Sequence, residues 1–288
     1  MSTFNNNVIS WLLEEDNPAI AYRTRTELLG LPSSKTVVLE WIYNFIPKDW
    51  YKTKGLWYRY YITALAECGL TLEDIKREYL EKAFSELENT FDCNCADFLL
   101  LRSLAKLGYP NEPVICKIIN ELKDIILPDN GFLCLHRLKK LKYTPKSCYK
   151  ANLHALLFFA EIHKIGLKSN VEKFLADYFF NHNLFYKSTD RNTLVLNCRE
   201  GKRTIDTFYP FEVTRIGIQN VIEAFCALGY GNDERLKEAW DLMDNNKNDD
   251  GKMILKGTLA KSYLPKERVG KPSKWVTFYS LLAEKERQ

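Results

Sequence analysis

A chain of 288 residues, 46% of them apolar and 13% aromatic, carries enough hydrophobic side chain to bury a large core, which excludes a disordered protein. Its 41 basic and 37 acidic residues leave a formal charge of +4 and are well mixed, the pattern of a solvated surface and not of a nucleic-acid footprint. Eight cysteines, at 68, 93, 95, 116, 134, 148, 198 and 226, are too few and too irregular for a disulfide scaffold and are expected reduced.

The opening stretch MSTFNNNVISWLLEEDNP has no positive leader ahead of an apolar run and no small-residue cleavage site. No segment approaches the ~18 uninterrupted apolar residues of a membrane span, so a soluble, cytoplasmic protein is expected. Next comes AIAYRTRTELLGLPSSKTVVLEWIYNFI, which reads as a helix, Gly30 and a second helix. YYITALAECGLTLEDIKREYLEKAFSEL repeats the pattern around Gly69, and the apolar run before Gly108 repeats it again. ANLHALLFFAEIHKIGLKSNVEKFLADYFF does so around Gly166, and a fifth unit turns at Gly229. Glycine just past a helix is the expected C-terminal cap. Two of the units are near copies: LGYPNEPVICKIINELKDIILPDNG at 107–131 returns as LGYGNDERLKEAWDLMDNNKNDDG at 228–251.

Helices before each glycine are rich in Ala, Leu, Phe and Cys, and those after it carry Glu, Lys and Asp on one face, as a buried and an outer layer require. A last apolar helix, SKWVTFYSLLAEK, has no partner after it. Strand signals are nearly absent; TLVLNC at 193–198 is the one candidate hairpin arm. The basic run His136-Arg137-Leu138-Lys139-Lys140-Leu141-Lys142 reads as a solvated loop. The fold class is therefore all-α. Hairpins of this kind stack as an open solenoid or close into a ring, and five pairs plus a lone helix and the N-terminal segment favour one closed domain over 1–288.

In a ring, inner helices starting near Trp57, Asp92, Ser147, Phe208 and Ser273 converge at one rim. That rim gathers Trp57, Tyr58, Tyr60 and Tyr61, then Tyr149 and Asn152, then Phe208, Tyr209, Phe211, Glu212 and Arg215, with Trp275 just after Lys271. Aromatic walls with charges at helix starts suit an apolar ligand with an anionic or polar head. Trp57, Tyr60, Tyr149, Asn152, Phe211 and Trp275 are the expected lining, and Arg215, Lys271 and Arg199 the groups that would hold the head. Glu212 and Tyr209 are the candidate acid or base. Plain core packing competes with this reading for each aromatic, and Glu212 with Arg215, three apart on a predicted helix, would also satisfy each other. His154 and His163 read as core or surface residues.

The unit of helix, Gly, helix and an acidic turn reading Asp129-Asn130-Gly131-Phe132 resembles the repeat of the terpenoid cyclase and protein prenyltransferase α/α-toroid superfamily, whose turns typically read Asp-Gly-Gly-Phe or Asp-Gly-Gly-Trp. The resemblance runs from WLLEEDNPAIAYRT to GKPSKWVT and is closest to small bacterial proteins labelled squalene-cyclase-like or prenyltransferase-like. It implies an α/α toroid and a cavity for an isoprenoid-like ligand. It does not carry the superfamily's chemistry with it. The Asp-x-Asp-Asp acid motif of the protonating cyclases is missing, and Asn248-Asp249-Asp250-Gly251 is better explained as a turn. Of the prenyltransferase zinc ligands, Cys148 matches the cysteine, but Lys146 stands where Asp belongs and Pro210 where His belongs. No metal and no cofactor are expected; Cys134 and His136 are the pair that a different metal site would use first. The partner is then an apolar small molecule, with a non-catalytic protein-interaction module, or an enzyme with an unrecognised site, as alternatives. The oligomeric state is not indicated.

Overall fold

A computed structural model describes residues 4–134, 147–196 and 201–287. Twelve α-helices and no named strand occur among the described residues. The predicted all-α class is therefore observed.

Two kinds of helix alternate, and the burial of each follows from its composition. The first kind comprises α2 (Pro18–Arg23, running into a π-helical turn at Thr24–Leu28), α4 (Leu56–Glu67), α6 (Cys95–Lys106), α8 (Tyr149–Lys164), α10 (Ile218–Ala227) and α12 (Lys274–Glu286). In α6 every residue from Ala96 to Ala105 is buried, and in α12 every residue from Lys274 to Ala283. A helix apolar on all sides can sit only inside the molecule. The second kind comprises α1 (Asn6–Leu12), α3 (Thr36–Ile42), α5 (Glu81–Thr90), α7 (Pro113–Leu122), α9 (Val171–Asn181) and α11 (Lys237–Asp244). Here burial is a stripe: Ile115, Ile118 and Leu122 in α7, Ala239, Trp240 and Met243 in α11. The helix predicted over 111–127 thus belongs to the outer layer, as its acidic and basic face requires.

Each inner helix packs on the next: α4 on α6, α6 on α8, α8 on α10, α10 on α12, and α12 on α2 and its π turn. Arg23, at the end of α2, donates to the carbonyl of Glu67 at the end of α4, 3.1 Å away. Gly69, Gly108, Gly166 and Gly229 follow inner helices with positive φ, as the capping pattern predicted.

One expectation fails. Phe208 does not begin an inner helix; α10 starts only at Ile218, and 207–216 is irregular chain. Glu212 and Arg215 accordingly meet across a tight turn, Glu212 N donating to Arg215 O at 2.9 Å, and not along a helix. Pro210, which follows a cis peptide bond, has no N–H to give a helical ladder, and Gly217 supplies the later start. The TLVLNC arm is reduced to isolated antiparallel bridges, Tyr186 with Leu194 and Leu196 with Arg203, and 197–200 lies outside the described residues.

The inner helices meet in charge as well as in hydrocarbon. Arg102 of α6, 1% exposed, donates to Glu67 of α4 at 3.0 Å and to Glu223 of α10 at 2.9 Å, and lies 3.5 Å from Glu161 of α8. The ring of Phe211 covers its guanidinium, 4.6 Å from centroid to Cζ. Lys106 adds a bond to Glu67 at 3.2 Å, and Arg23 donates to the Tyr279 hydroxyl of α12 at 3.1 Å. Burial works against the charge of Arg102 and of Glu161, yet their partners win: Glu67, Glu223 and Glu161 hold Arg102 above the usual guanidinium range, while Lys164, Lys106 and Arg102 pull Glu161 down to about 2. At Lys106 burial prevails and lowers the ammonium.

Removing one member of such a set strands the others in low dielectric. Arg102→Met should lower the unfolding free energy by about 3–5 kcal/mol in urea titrations. Arg77→Ala, which breaks the half-exposed pairs with Glu81 and Glu112, should move the midpoint far less. Equal losses in the two variants would refute the hub.

Candidate functional site

The rim where the inner helices begin was expected to hold a cavity walled by Tyr209, Phe211 and Trp275. Instead the irregular 207–216 chain turns inward and buries all three. Tyr209 stacks on Trp275 with centroids 4.8 Å apart, both at most 2% exposed, and Phe211 lies under Arg102. These aromatics are core. Burial pushes the Tyr209 phenol well above its ordinary range, so it stays protonated and is a poor base.

Glu212 sits in a polar cluster at the same end. Its carboxylate accepts from the Tyr60 hydroxyl at 3.0 Å and from Thr214 Oγ1 at 2.7 Å, with Arg215 Nε 3.8 Å away. Its backbone carbonyl accepts from His154 Nε2 at 3.2 Å, and Tyr60 stacks on Tyr263 at 4.9 Å. Trp57 is only partly buried and lies beneath the Lys261 ammonium, 5.2 Å away. Lys271 is exposed in the loop before α12. Arg199, His136, Lys146 and Cys198 lie outside the described residues.

A cleft of about 860 Å³ opens beside this cluster, where α6 and α8 begin. The turn that the sequence spelled as Asp129-Asn130-Gly131-Phe132 builds its edge. Asp129 accepts from Gly131 N at 3.3 Å and from Ser147 Oγ at 2.6 Å, and Asn130 takes the left-handed conformation that asparagine tolerates. A β-carbon at Gly131 would stand 2.5 Å from Ser147 Oγ and 2.7 Å from Asn152 Nδ2, so only glycine fits. Phe132 N then donates to Asn152 at 2.7 Å and Cys148 N to Phe132 O at 3.0 Å, clamping the turn to the start of α8. Asn152, read from sequence as a ligand group, is buried and positions this turn. The start of α6 is fixed by a capping box, with Asn94 accepting from Ala96 N and Asp97 N at 2.8 and 3.1 Å, and Arg59 bound to Asp97 at 2.8 Å.

Tyr149, Tyr178, Tyr186, Val195 and Leu196 wall the cleft, Lys150 and Lys187 bring positive charge, and Cys95, Cys134 and Cys148 all reach it. Of the predicted lining only Tyr149 lies here, its hydroxyl spent on Leu184 O at 2.6 Å. Lys150, Tyr178, Tyr186 and Lys187 were missed, because the 182–196 chain that brings two of them over the cleft has no periodicity to read. Thr214 links the two regions, lining the cleft while donating to Glu212. Among the described residues no group of three or more His, Cys, Asp or Glu side chains is placed to hold a metal ion. A second cavity, about 550 Å³, opens at the opposite helix ends and is lined by Arg23, Lys106, Lys164 and Glu161, whose charges pair with one another and with Glu27, Glu67 and Glu286. Among the described residues no helix is long and apolar enough to cross a membrane. Comparison with known protein families, with curated proteins and with solved structures finds nothing that this chain matches.

His154 joins the hub to the rim and gives the pair a pH signature. Burial, and then the charge of Arg102, push its imidazole from 6.5 down to about 4. At His154 the unfolded chain therefore binds more protons than the folded one between those values, and the stability contributed by this residue falls as pH drops through that window. The His154 contribution should total about 3 kcal/mol from pH 6.5 to 4. Buried Glu267, raised to about 7, acts in the opposite sense, so the His154 share is read as the difference between wild type and His154→Gln. An unchanged slope in the variant would show that His154 is not the group responsible. Glu161 and other carboxylates extend the acid loss below pH 4.5 in both proteins.

Proposed function

We propose that this chain is an α/α toroid of the terpenoid cyclase and prenyltransferase kind that binds an apolar molecule with an anionic head. The order of inner contacts supports the ring: α4, α6, α8, α10 and α12 pack in sequence, and α2 with its π turn bridges α12 back to α4. The ligand site is the cleft at the starts of α6 and α8, and not the ring centre, which Phe211, Tyr209 and Trp275 fill.

The observation that carries the reading is the makeup of that cleft. Three tyrosines with Val195 and Leu196 offer apolar wall, while Lys150 and Lys187 and the first N–H groups of α8 attract an anion. Asp129 stands at the cleft edge, bound to Ser147, and Glu212 stands one residue behind, through Thr214, as a second carboxylate for acid or base work on a bound molecule. Binding is the proposed activity, and an isoprenoid diphosphate or a fatty acid is the ligand class. A protein-interaction module without a small ligand is the alternative.

Thermal shift separates them. A long-chain isoprenoid diphosphate or a C16 fatty acid should raise the melting temperature, by the equivalent of about 2.7 kcal/mol at one hundred times Kd. The double variant Lys150→Ala/Lys187→Ala should weaken the same ligand by about 1.5–3 kcal/mol. Arg215→Ala, which removes the partner of Glu212, should leave affinity within about twofold. Stabilisation by no compound would sink the ligand reading and favour the interaction module.

A further inference from the structure

Four cysteines outside the cleft illustrate what an ordinary thiol does here. Cys68, Cys93 and Cys226 are buried, and burial raises their thiols, to about 12 for Cys93 and Cys226. Such groups are inert. Cys116 is partly exposed on outer helix α7.

The cleft thiols differ in placement. Cys148 is the N-cap residue of the sixteen-residue α8, and Cys95 is the first residue of α6, the helix packed against it. Both are partly exposed, both line the cleft, and their thiols hydrogen-bond to each other. Seven described cysteines, these included, are outside any disulfide. Two neighbouring thiols on different helices, reachable from solvent and unlinked, are the arrangement in which one attacks and the other resolves.

We infer that Cys148 and Cys95 form a dithiol site for a small anionic disulfide, with Cys148 the attacking sulfur and Cys95 the resolving one. Direction follows from local charge. Cys148 caps the positive dipole end of α8 and accepts the Cys95 S–H, so the negative charge settles there. Cys95 holds its proton well above the ordinary thiol range, first because it donates to Cys148 and then because of burial. In the first step the Cys148 thiolate attacks one sulfur of the small disulfide. That bond breaks, one thiolate leaves and takes up a proton, and Cys148 carries a mixed disulfide. In the second step Cys95 gives up its proton and attacks the Cys148 sulfur, releasing the second small thiol. The two protein thiols are oxidised, the external disulfide is reduced to two thiols, and a Cys95–Cys148 bond ties α6 to α8. A disulfide of the glutathione type fits, because its carboxylates meet Lys150 and Lys187 on the same wall. The proposal does not rest on the lipid-like ligand, since its readout is covalent.

The test treats the reduced full-length chain with oxidised glutathione and maps products by non-reducing digestion and mass spectrometry. Wild type should yield a Cys95–Cys148 linked peptide lighter by two hydrogens. Cys95→Ser should trap the glutathione adduct on Cys148, and Cys148→Ser should give neither adduct on Cys95 nor link. Cys134→Ser should behave as wild type. Within the wild-type chain alone, which needs no variant to fold, Cys148 should react at least about tenfold faster than Cys116. Reaction at Cys116 as fast as at Cys148, a link that uses Cys134 instead, or no trapped adduct in a folded Cys95→Ser protein would each overturn the assignment.

Discussion

Everything in this fold leans on one guanidinium. Arg102 is 1% exposed, and a charge so far from water is tolerated only where partners return what hydration gave. Glu67, Glu223 and Glu161 do that from three different helices, and the face of Phe211 covers the remaining side. A hydrophobic contact tolerates sliding along a helix; a charged hydrogen bond at 2.9 or 3.0 Å does not. The hub therefore fixes the register of α4, α6, α8 and α10 relative to one another. Lys106 and Arg23 extend it, through Glu67 and Tyr279, to α2 and α12.

Register at the hub sets geometry at the rim. Phe211 is carried by the irregular 207–216 chain, so seating it against Arg102 also places Glu212 beside Tyr60, Thr214 and His154. The starts of α6 and α8 are held in turn by the Asn94 capping box and by the Asp129 turn clamped on Asn152. The cleft lies between those two fixed starts, which is why its lysines, tyrosines and thiols face a common space. Burying Phe211 among the inner helices and opening a cleft where α6 and α8 begin are thus two results of the same packing.

Much of this was legible in the sequence. Alternating apolar and amphipathic helices, the glycine caps at 69, 108, 166 and 229, and the Asp129-Asn130-Gly131-Phe132 turn are local signals, and each is found in place. The rim residues were harder. Tyr209 and Trp275 carry no mark that separates a cavity wall from a stacked core pair, because that depends on where a non-periodic loop goes. The same limit hid Tyr186 and Lys187, which the 182–196 chain carries to the cleft. The hub itself had a signal that was passed over. Glu67 in ALAECG and Arg102 in FLLLRSLA are single charges inside runs otherwise uncharged, and a charge there must find a buried partner.

The direct test is a double-mutant cycle between Arg102→Met and Glu223→Gln, read by urea unfolding at neutral pH. Residues that share one buried network are coupled, whereas independent ones add. The account predicts a coupling of at least about 1.5 kcal/mol between them. Additivity to within about 0.5 kcal/mol would mean that Arg102 does not tie α6 to α10, and the central claim would fail.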